Sequence, residues 1–243
     1  MMNTPFPKLD NRLKQALLLA DPGKTAADIG ADHGQLSAAL LMSGYAEHVL
    51  VSDISEPSLN KARTALGNLG IYDKATFAVA DGLDALKALR GTPADNIFIL
   101  GMGGMTLSQI LEKGAHRLQG AALILGAQTD LPLLRETLQN IGYRIRKEIV
   151  VEENRRYYIL MQCTPAHPDE PTYTRQELLL GPVLLQEYPP LWPAILNRRR
   201  QMLETAVTSM QKATSDKRAA QLPEFEEELS YVNGALSHYS TQG

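Results

Sequence analysis

The sequence predicts an α/β fold in which helices cover both faces of a mostly parallel sheet, followed by a smaller helical domain. Three observations support this fold class. Short apolar runs alternate with helix-length segments over the first part of the chain, a pattern typical of a doubly wound sheet. Two strand-like runs then follow each other with no helix between them. Beyond a proline-rich stretch, the apolar spacing becomes wholly helical.

An amphipathic helix is expected to open the chain, because apolar residues recur at helical spacing from Leu9 to Ala20. Five strand-like runs follow it in the order "TAADIG", "HVLVSD", "ATFAVAD", "NIFILGMGG" and "AALILG". Helix-length segments separate these runs, so each strand is expected to lie parallel to its neighbours in one sheet.

Two of the intervening helices carry recognisable end signals. In "SEPSLNKARTALGNLG", Ser55 is the expected N-cap and Pro57 lies in the first turn, where proline is tolerated. In "TDLPLLRETLQNIG", Thr129 or Asp130 is the expected cap, and Gly142 is expected to end the helix.

The end of the sheet is where the alternation breaks. "YRIRKEIVVEE" and "RRYYILMQC" meet at "ENR", so a β-hairpin is expected to add an antiparallel strand to the sheet. Nicotinamide-binding folds normally continue with further parallel strands. The Rossmann-like class I methyltransferase fold ends in such a hairpin.

A second domain is expected after the linker "PAHPDEP". The segment "YTRQELLLGPVLLQEY" predicts a first helix, and two longer helices with coiled-coil-like apolar spacing follow. A row of glutamates at the start of the last helix suits its positive end. The expected domains are therefore residues 1–164 and 165–243.

Composition excludes several classes of protein. With 44% hydrophobic residues, the 243-residue chain can bury a sizeable core, and no apolar run approaches the length of a membrane span. A single cysteine, Cys163, excludes a disulfide framework and is too few for a zinc cluster. The charged N-terminus does not resemble a signal peptide. A cytoplasmic protein without a metal ion is expected.

Net charge argues weakly against a nucleic-acid partner, since the chain carries a formal charge of -3. Two basic clusters nevertheless occur, and each is more simply interpreted, by itself, as a solvated face. They consist of Arg144, Arg146, Lys147, Arg155 and Arg156, and of Arg198, Arg199 and Arg200.

The glycine corner "DIGADHGQL" joins the first strand to a helix. Such a corner is expected to leave free backbone N–H groups in a crevice at the carboxyl edge of the sheet, where ligands bind. Gly30 and Gly34 enclose Asp32 and His33. An acid there would repel a pyrophosphate but suits a ligand that has no phosphates and carries a cationic sulfonium and an amino group.

The next two strand ends predict a nucleoside ligand. Asp53 follows the second strand, 23 residues after Gly30, where a carboxylate can accept both hydroxyl groups of a ribose. This requirement is shared by NAD and S-adenosylmethionine, so Asp53 alone does not decide between them. Asp81 follows the third strand, where it can accept from an adenine amino group, cap the helix "GLDALKAL", or do both.

The fourth strand ends in "GMGG". Three glycines in four residues remove side-chain bulk and can clear a path for a flat ligand or substrate. A tight strand-to-helix turn that needs positive φ at one position is the structural alternative, and both interpretations are expected to apply.

These segments together resemble a known family. "ADIGADHGQL", "ADGL", "ILGMGGMTLSQIL" and "YYIL", in this order, are similar to segments of the bacterial tRNA (adenine-22-N1)-methyltransferases, and "ELLLGPVLL" with its helices matches their C-terminal module. The resemblance runs from Leu9 to Met210. It implies a class I methyltransferase fold, S-adenosylmethionine (SAM) as cofactor and tRNA as partner, with methylation at N1 of an adenine in the D-arm region.

The resemblance also assigns roles to individual positions. Asp32 becomes the candidate polar group near the reacting centre, and the basic clusters with the helical module would hold the tRNA backbone. The protein is expected to act as a monomer, without a membrane. The implied cofactor-binding residues are Gly30, Asp32, His33, Gly34, Asp53, Ile54, Asp81, Gly82, Gly101, Met102 and Gly103.

One position departs from the family pattern. The family usually ends its fifth strand with Gln-Pro-Asn, and related adenine methyltransferases hold the target base there; this chain reads Gly126, Ala127, Gln128. Gln128 offers an amide one position along and is the second candidate catalytic residue.

Two alternatives to an RNA methyltransferase are considered. A SAM-dependent methyltransferase of a small molecule or protein, with the helical module as lid or dimer surface, fits the weak charge and the lost Gln-Pro-Asn. A non-catalytic RNA-binding relative fits less well, since Asp32, Asp53, Asp81 and the "GMGG" segment are intact.

Overall fold

The computed structural model describes residues 6–212 and 220–241. A seven-stranded sheet in the order β3-β2-β1-β4-β5-β7-β6 forms its centre. The strands are β1 Thr25–Ile29, β2 His48–Asp53, β3 Ala75–Val79, β4 Asn96–Met102, β5 Ala122–Ala127, β6 Tyr143–Glu153 and β7 Arg156–Pro165.

Strand directions confirm the expected fold class. Strands β1 to β5 run parallel to one another, whereas β7 runs antiparallel to both β5 and β6. The strand order reverses between β1 and β4, which is the switch point where doubly wound sheets open a ligand crevice. All five residues of β1 are buried, as expected for a strand covered on both faces.

Within the described part of the first 171 residues, five α-helices and three 3-10 helices accompany the sheet. The α-helices are α1 Asn11–Leu19, α2 Gln35–Met42, α3 Glu56–Asn68, α4 Gly104–Gly114 and α5 Leu131–Asn140. The 3-10 helices are Tyr72–Lys74, Gly82–Leu89 and Ala115–Arg117. The predicted helix "GLDALKAL" therefore forms, but as a 3-10 helix.

Helix caps follow the sequence only in part. Ser55 caps α3 as predicted, by accepting from the backbone N–H of Ser58 at 3.4 Å. Asp130, one of the two residues predicted to cap α5, is its N-cap residue, but its side chain makes no cap bond and accepts from the Thr129 hydroxyl at 2.8 Å. Asp81 likewise is the N-cap residue of the 3-10 helix Gly82–Leu89, but its side chain makes no cap bond.

The predicted hairpin consists of β6 and β7, joined by the two residues Asn154 and Arg155. Both have positive φ, of 50° and 60°, which is the backbone pattern of a type I′ turn. Helix α1 packs on this hairpin: the Asn11 backbone N–H donates to the Glu153 carboxylate at 2.7 Å, and its side-chain amide donates to the Glu152 carbonyl at 3.0 Å.

The chain divides into two compact units, residues 1–171 and 172–243. The boundary expected from the sequence, after residue 164, lies seven residues before this division after residue 171. Residues 166–171 stay with the first unit because two arginines of β6 hold them: Arg146 forms an ion pair with Glu170, and Arg144 donates to the Pro171 carbonyl at 2.6 Å.

The second unit contains helices α6 Arg175–Leu180, α7 Leu184–Glu187, α8 Trp192–Gln211 and α9 Leu222–Thr241. The single predicted first helix is interrupted at Gly181, whose φ is +107°. Helices α8 and α9 pack as the expected pair, and Arg199 donates two bonds to Glu228, at 2.6 and 2.7 Å. None of the helices described is long and apolar enough to cross a membrane.

Candidate active site

The glycine corner after β1 uses most of its own backbone donors. The N–H groups of Gly30 and Ala31 both donate to the Ser52 carbonyl, at 2.8 and 2.9 Å, and Gly34 donates to the Ala31 carbonyl at 2.8 Å. The prediction that this corner offers free N–H groups is therefore wrong for these residues. A corner with satisfied donors is poorly suited to cradle phosphates.

Asp53, at the end of β2, accepts hydrogen bonds that hold the glycine corner in place. One carboxylate oxygen accepts from the Asp32 backbone N–H at 3.2 Å, and the other accepts from Ser55 at 2.8 Å. Each oxygen keeps a further lone pair. Asp32 has a φ of +47°, so this bond holds an acidic residue in the left-handed region. Asp53 thus both shapes the corner and offers acceptors at the carboxyl edge.

A cleft of about 270 Å³ opens where the corner meets α1 and the end of β4. Three carboxyl groups face it, from Asp10, Asp28 and Asp32, together with Arg12 and His33. The Asp32 side chain is 63% exposed and is hydrogen-bonded to His33 Nδ1 at 2.7 Å. Such a lining favours a ligand with positive charge.

Asp28 is the buried acid of this cleft, with 5% of the residue exposed. The Ser37 hydroxyl donates to its Oδ2 atom at 2.6 Å. Burial raises the pKa of Asp28 to about 6; the Ser37 bonds oppose that rise, and the charge of Asp53 adds to it. A cation placed in the cleft would stabilise the ionised carboxylate and lower this pKa again.

The "GMGG" segment begins with a bulge. Leu100 pairs with Gly126 and Met102 pairs with Ala127, so Gly101 is the extra residue, and its φ is +79°. A Cβ on Gly101 would lie 3.1 Å from Arg12 Nη1. Arg12 therefore reaches from α1 to the end of β4 at the mouth of the cleft.

The remaining glycines of this segment make room for protein. A Cβ on Gly104 would lie 2.4 Å from the Thr129 carbonyl oxygen, and one on Gly103 would lie 3.0 Å from Thr129 Oγ1. The Gly104 N–H donates to the same carbonyl at 2.9 Å. The lack of side chains at Gly103 and Gly104 was predicted to leave space for a flat ligand. In the structure it allows the start of α4 to pack against the loop after β5.

Of the three residues that replace Gln-Pro-Asn, only Gln128 extends an exposed side chain beyond the strand. Gly126 and Ala127 are buried within β5, and a Cβ on Gly126 would lie 2.8 Å from the Leu160 side chain. Gln128 stands directly past the last residue of β5. It is therefore available to a substrate at the carboxyl edge.

A second cleft, of about 240 Å³, lies between the 3-10 helix Gly82–Leu89 and α4. Asp81 lines it and accepts from Lys113 Nζ at 2.6 Å. This bond raises the pKa of Lys113. Both side chains are exposed, so the pair contributes little to stability and can open to a ligand amino group. Ile54, which follows Asp53, is 73% exposed at the same edge.

Sequence reasoning missed several residues of this edge. Asp28 carried a usable signal, because it is an ionisable residue inside an otherwise apolar strand. Met105 and Leu133, in the first turns of α4 and α5, also carried one: both are large apolar residues and both are exposed. Arg12 carried none, since only the folded chain brings α1 to the cleft.

These residues fit SAM better than a dinucleotide. The corner donors are consumed within the chain, the nearby cleft carries three carboxyl groups, and Asp53 retains acceptors between the two clefts. A ligand with a sulfonium, an ammonium, a ribose and an adenine, and no phosphate, matches that set of groups. Among the described residues, no group of three or more His, Cys, Asp or Glu side chains is placed to hold a metal ion.

Comparison with known proteins gives a consistent result. Residues 26–233 match the family model described as tRNA (adenine(22)-N(1))-methyltransferase. The enzyme of that name from Bacillus subtilis is 25% identical over 239 residues, which cover 95% of this chain and 98% of the relative.

Solved structures show the same fold. The crystal structure of TrmK, the tRNA methyltransferase of B. subtilis, superposes with a TM-score of 0.86 at 23% identity, covering 95% of this chain and 99% of that one. TrmK of M. capricolum, bound to S-adenosyl-homocysteine, gives 0.81 at 20% identity, with 94% and 98% covered. Since the family model spans most of the sequence, the chain belongs to the tRNA (adenine(22)-N(1))-methyltransferase family.

Proposed function

We propose that this enzyme transfers a methyl group from SAM to N1 of adenine 22 in tRNA, at the carboxyl edge of the sheet between β1, β2 and β4. The observation that carries the proposal is the acidic cleft beside Asp53, in a chain whose family is defined by this reaction. Membership in that family disfavours the two alternatives, a small-molecule or protein methyltransferase and a non-catalytic relative.

The cofactor would lie along the edge from one cleft to the other. Asp53 would accept from the ribose hydroxyls, and Asp81 from the adenine amino group. Asp28 would face the positive end of the ligand, and Arg12 would pair with its carboxylate. The other proposed contacts are Gly30, His33, Gly34, Ile54, Gly82, Gly101, Met102 and Gly103, which lie at the same strand ends.

When bound, SAM supplies a methyl group already activated by a positive sulfur, so the protein chiefly has to position the target base. Correct alignment alone can be worth ~7–11 kcal/mol. Adenine N1 has a free lone pair, and its methylation makes the ring cationic. The Asp32 carboxylate, exposed at the mouth of the cleft, would stabilise that charge or take the proton from N6.

The base must leave its stack to present N1, at a cost of a few kcal/mol. Gln128 directly follows β5, and Met105 and Leu133 lie in the first turns of α4 and α5, the helices that follow the adjacent strands β4 and β5; there they would receive it. An exposed amide can bond the edge of the base, and the two apolar side chains, of which Met105 is 55% exposed, can contact its face.

Two tRNA transcripts that differ in one atom test this proposal. One carries adenine at position 22 and the other carries 1-deazaadenine, which keeps the shape of the base and removes the N1 lone pair. Labelled SAM is expected to methylate the first transcript and leave the second unmethylated, although both bind. Equal methylation of the two would contradict transfer to N1 of that base.

The pH dependence of SAM binding tests the role of Asp28. Because the pKa of free Asp28 is about 6 and a bound cation lowers it, binding below pH 6 must release a proton. SAM affinity, measured by calorimetry, is expected to fall by up to about tenfold for each pH unit below 6 and to level off above it. In Asp28→Asn, the affinity at pH 7 is expected to be lower and its change between pH 5 and 7 much smaller. An identical pH profile in this variant would exclude Asp28 from the site.

A further inference from the structure

The β6–β7 hairpin extends past the rest of the sheet on the side of the active site. The last pair between β5 and β7 joins Ala127 to Ile159, whereas β6 and β7 stay paired as far as Glu153 and Arg156. Three residues of β7 thus continue beyond the carboxyl end of β5, which is about 10 Å of strand. The hairpin tip, Asn154 to Arg156, projects from the edge that carries Gln128.

The basic residues of this hairpin differ in whether their charge is already matched. Arg146 forms an ion pair with Glu170, and Arg144 donates to the Pro171 carbonyl. Arg155 and Arg156 are exposed, and within residues 6–212 and 220–241 neither forms an ion pair. Glu153, which lies opposite Arg156, is engaged by the start of α1. The tip therefore presents two positive charges to solvent.

A chain of contacts connects the tip to the cleft. Tyr158 lies two residues after Arg156, and the Arg12 guanidinium sits over its ring at 5.6 Å from the centroid. Arg12 itself lines the cleft and approaches Gly101 at the end of β4. Together with the two bonds of Asn11 to Glu152 and Glu153, this contact fixes the hairpin extension beside the cleft.

The turn itself favours a different residue at one position. Arg155 has a φ of +60° at the second centre of a type I′ turn, where glycine is preferred and a bulky side chain is disfavoured. Asn-Gly would be the more stable sequence for this turn. An arginine at a position that suits glycine is consistent with a charge retained for binding rather than for folding.

We propose that the hairpin tip binds tRNA phosphates that flank the target adenine, with Arg155 and Arg156 as the contacting residues. The inference rests on the proposed function, since it takes tRNA as the substrate. A nucleotide whose base is received beside Gln128 keeps its backbone outside the active site, at the edge from which the hairpin tip projects. Contacts of this kind orient the RNA and carry no base specificity.

The double variant Arg155→Gly/Arg156→Gln tests this inference without weakening the turn, because it creates the preferred Asn-Gly pair. Binding of a tRNA transcript is measured from 0.05 to 0.3 M salt. Near 0.1 M salt we expect the dissociation constant to rise by about tenfold or more, and the slope of log affinity against log salt to become shallower by about 1 to 2. SAM affinity is expected to match that of the wild type, and the melting temperature is expected to equal or slightly exceed the wild-type value.

The control variant, Lys24→Gln/Lys74→Gln, removes two exposed charges from the opposite, amino edge of the sheet. Its tRNA affinity and salt slope are expected to stay near wild type. A tip variant that behaves like this control would overturn the inference while leaving the methylation of wild-type protein untouched. Failure of the wild type to methylate tRNA would instead refute the proposed function.

Discussion

Asp32→Asn is expected to lower kcat for tRNA methylation by about 10²- to 10⁴-fold, the usual contribution of a positioned acid–base group. Asparagine keeps the size of the side chain and tolerates the left-handed backbone at this position, where φ is +47°. The substitution therefore removes one negative charge and little else. Single-turnover kinetics with saturating SAM and tRNA measure the effect on the chemical step.

The matching control is His33→Gln, which removes the hydrogen-bond partner of Asp32 and leaves the carboxylate in place. Its loss of kcat is expected to be much smaller than that of Asp32→Asn. SAM affinity of Asp32→Asn should also change far less than kcat. Near-normal turnover by Asp32→Asn would remove this carboxylate from the reacting centre and leave alignment as the main source of catalysis.

Asp53→Ala is expected to weaken SAM binding by about 10²- to 10⁴-fold. The expectation counts two lost hydrogen bonds to a charged acceptor, each worth roughly 1.5–3 kcal/mol. The variant also removes the acceptor of the Asp32 and Ser55 N–H groups, so the corner that holds Asp32 is expected to loosen. Calorimetric titration with SAM measures the first effect, and thermal unfolding in the absence of SAM measures the second.

Asp73→Ala is the appropriate comparison, because it removes an exposed carboxylate from the amino edge of the sheet. This control is expected to bind SAM as the wild type does. If Asp53→Ala remains folded and also binds SAM normally, the ribose does not lie at the end of β2, and the arrangement proposed for both clefts is incorrect.

The sequence was sufficient for the parts of the fold that depend on local pattern. The alternation of apolar runs predicted the parallel strands, and the absence of a helix around "ENR" predicted the antiparallel pair β6–β7. The positions of Asp53 and the glycine corner at the ends of neighbouring strands predicted that they lie together, and the Asp32 N–H donates directly to the Asp53 carboxylate.

Other features depend on partners distant in sequence. The local context of Asp81 suits a side-chain cap, but its carboxylate accepts instead from Lys113, 32 residues later. Residues 166–171 look like a linker by composition, yet Arg146 and Arg144 bind them to the first unit. Local sequence patterns do not predict such pairs, because several side chains of the same chemistry could form them and only the tertiary fold determines which one is close enough.

The same limit applies to the active site. Free N–H groups are expected at the glycine corner, but two of them donate to the Ser52 carbonyl. The position of that carbonyl follows from the register between β1 and β2, which the sequence of the corner does not contain. Arg12 lies far from every motif in sequence and reaches the cleft only because α1 packs on the hairpin. The sequence predicts which residue types lie at the strand ends, but it does not predict which of them form hydrogen bonds with one another.

Mapping of the modified nucleotide tests the central claim most directly. The purified protein is incubated with labelled SAM and total tRNA, and the tRNA is digested and sequenced by mass spectrometry. The predicted result is N1-methyladenosine at position 22, with no label elsewhere. Label at another nucleotide or another atom, or no label in tRNA from a protein that binds SAM, would contradict the account.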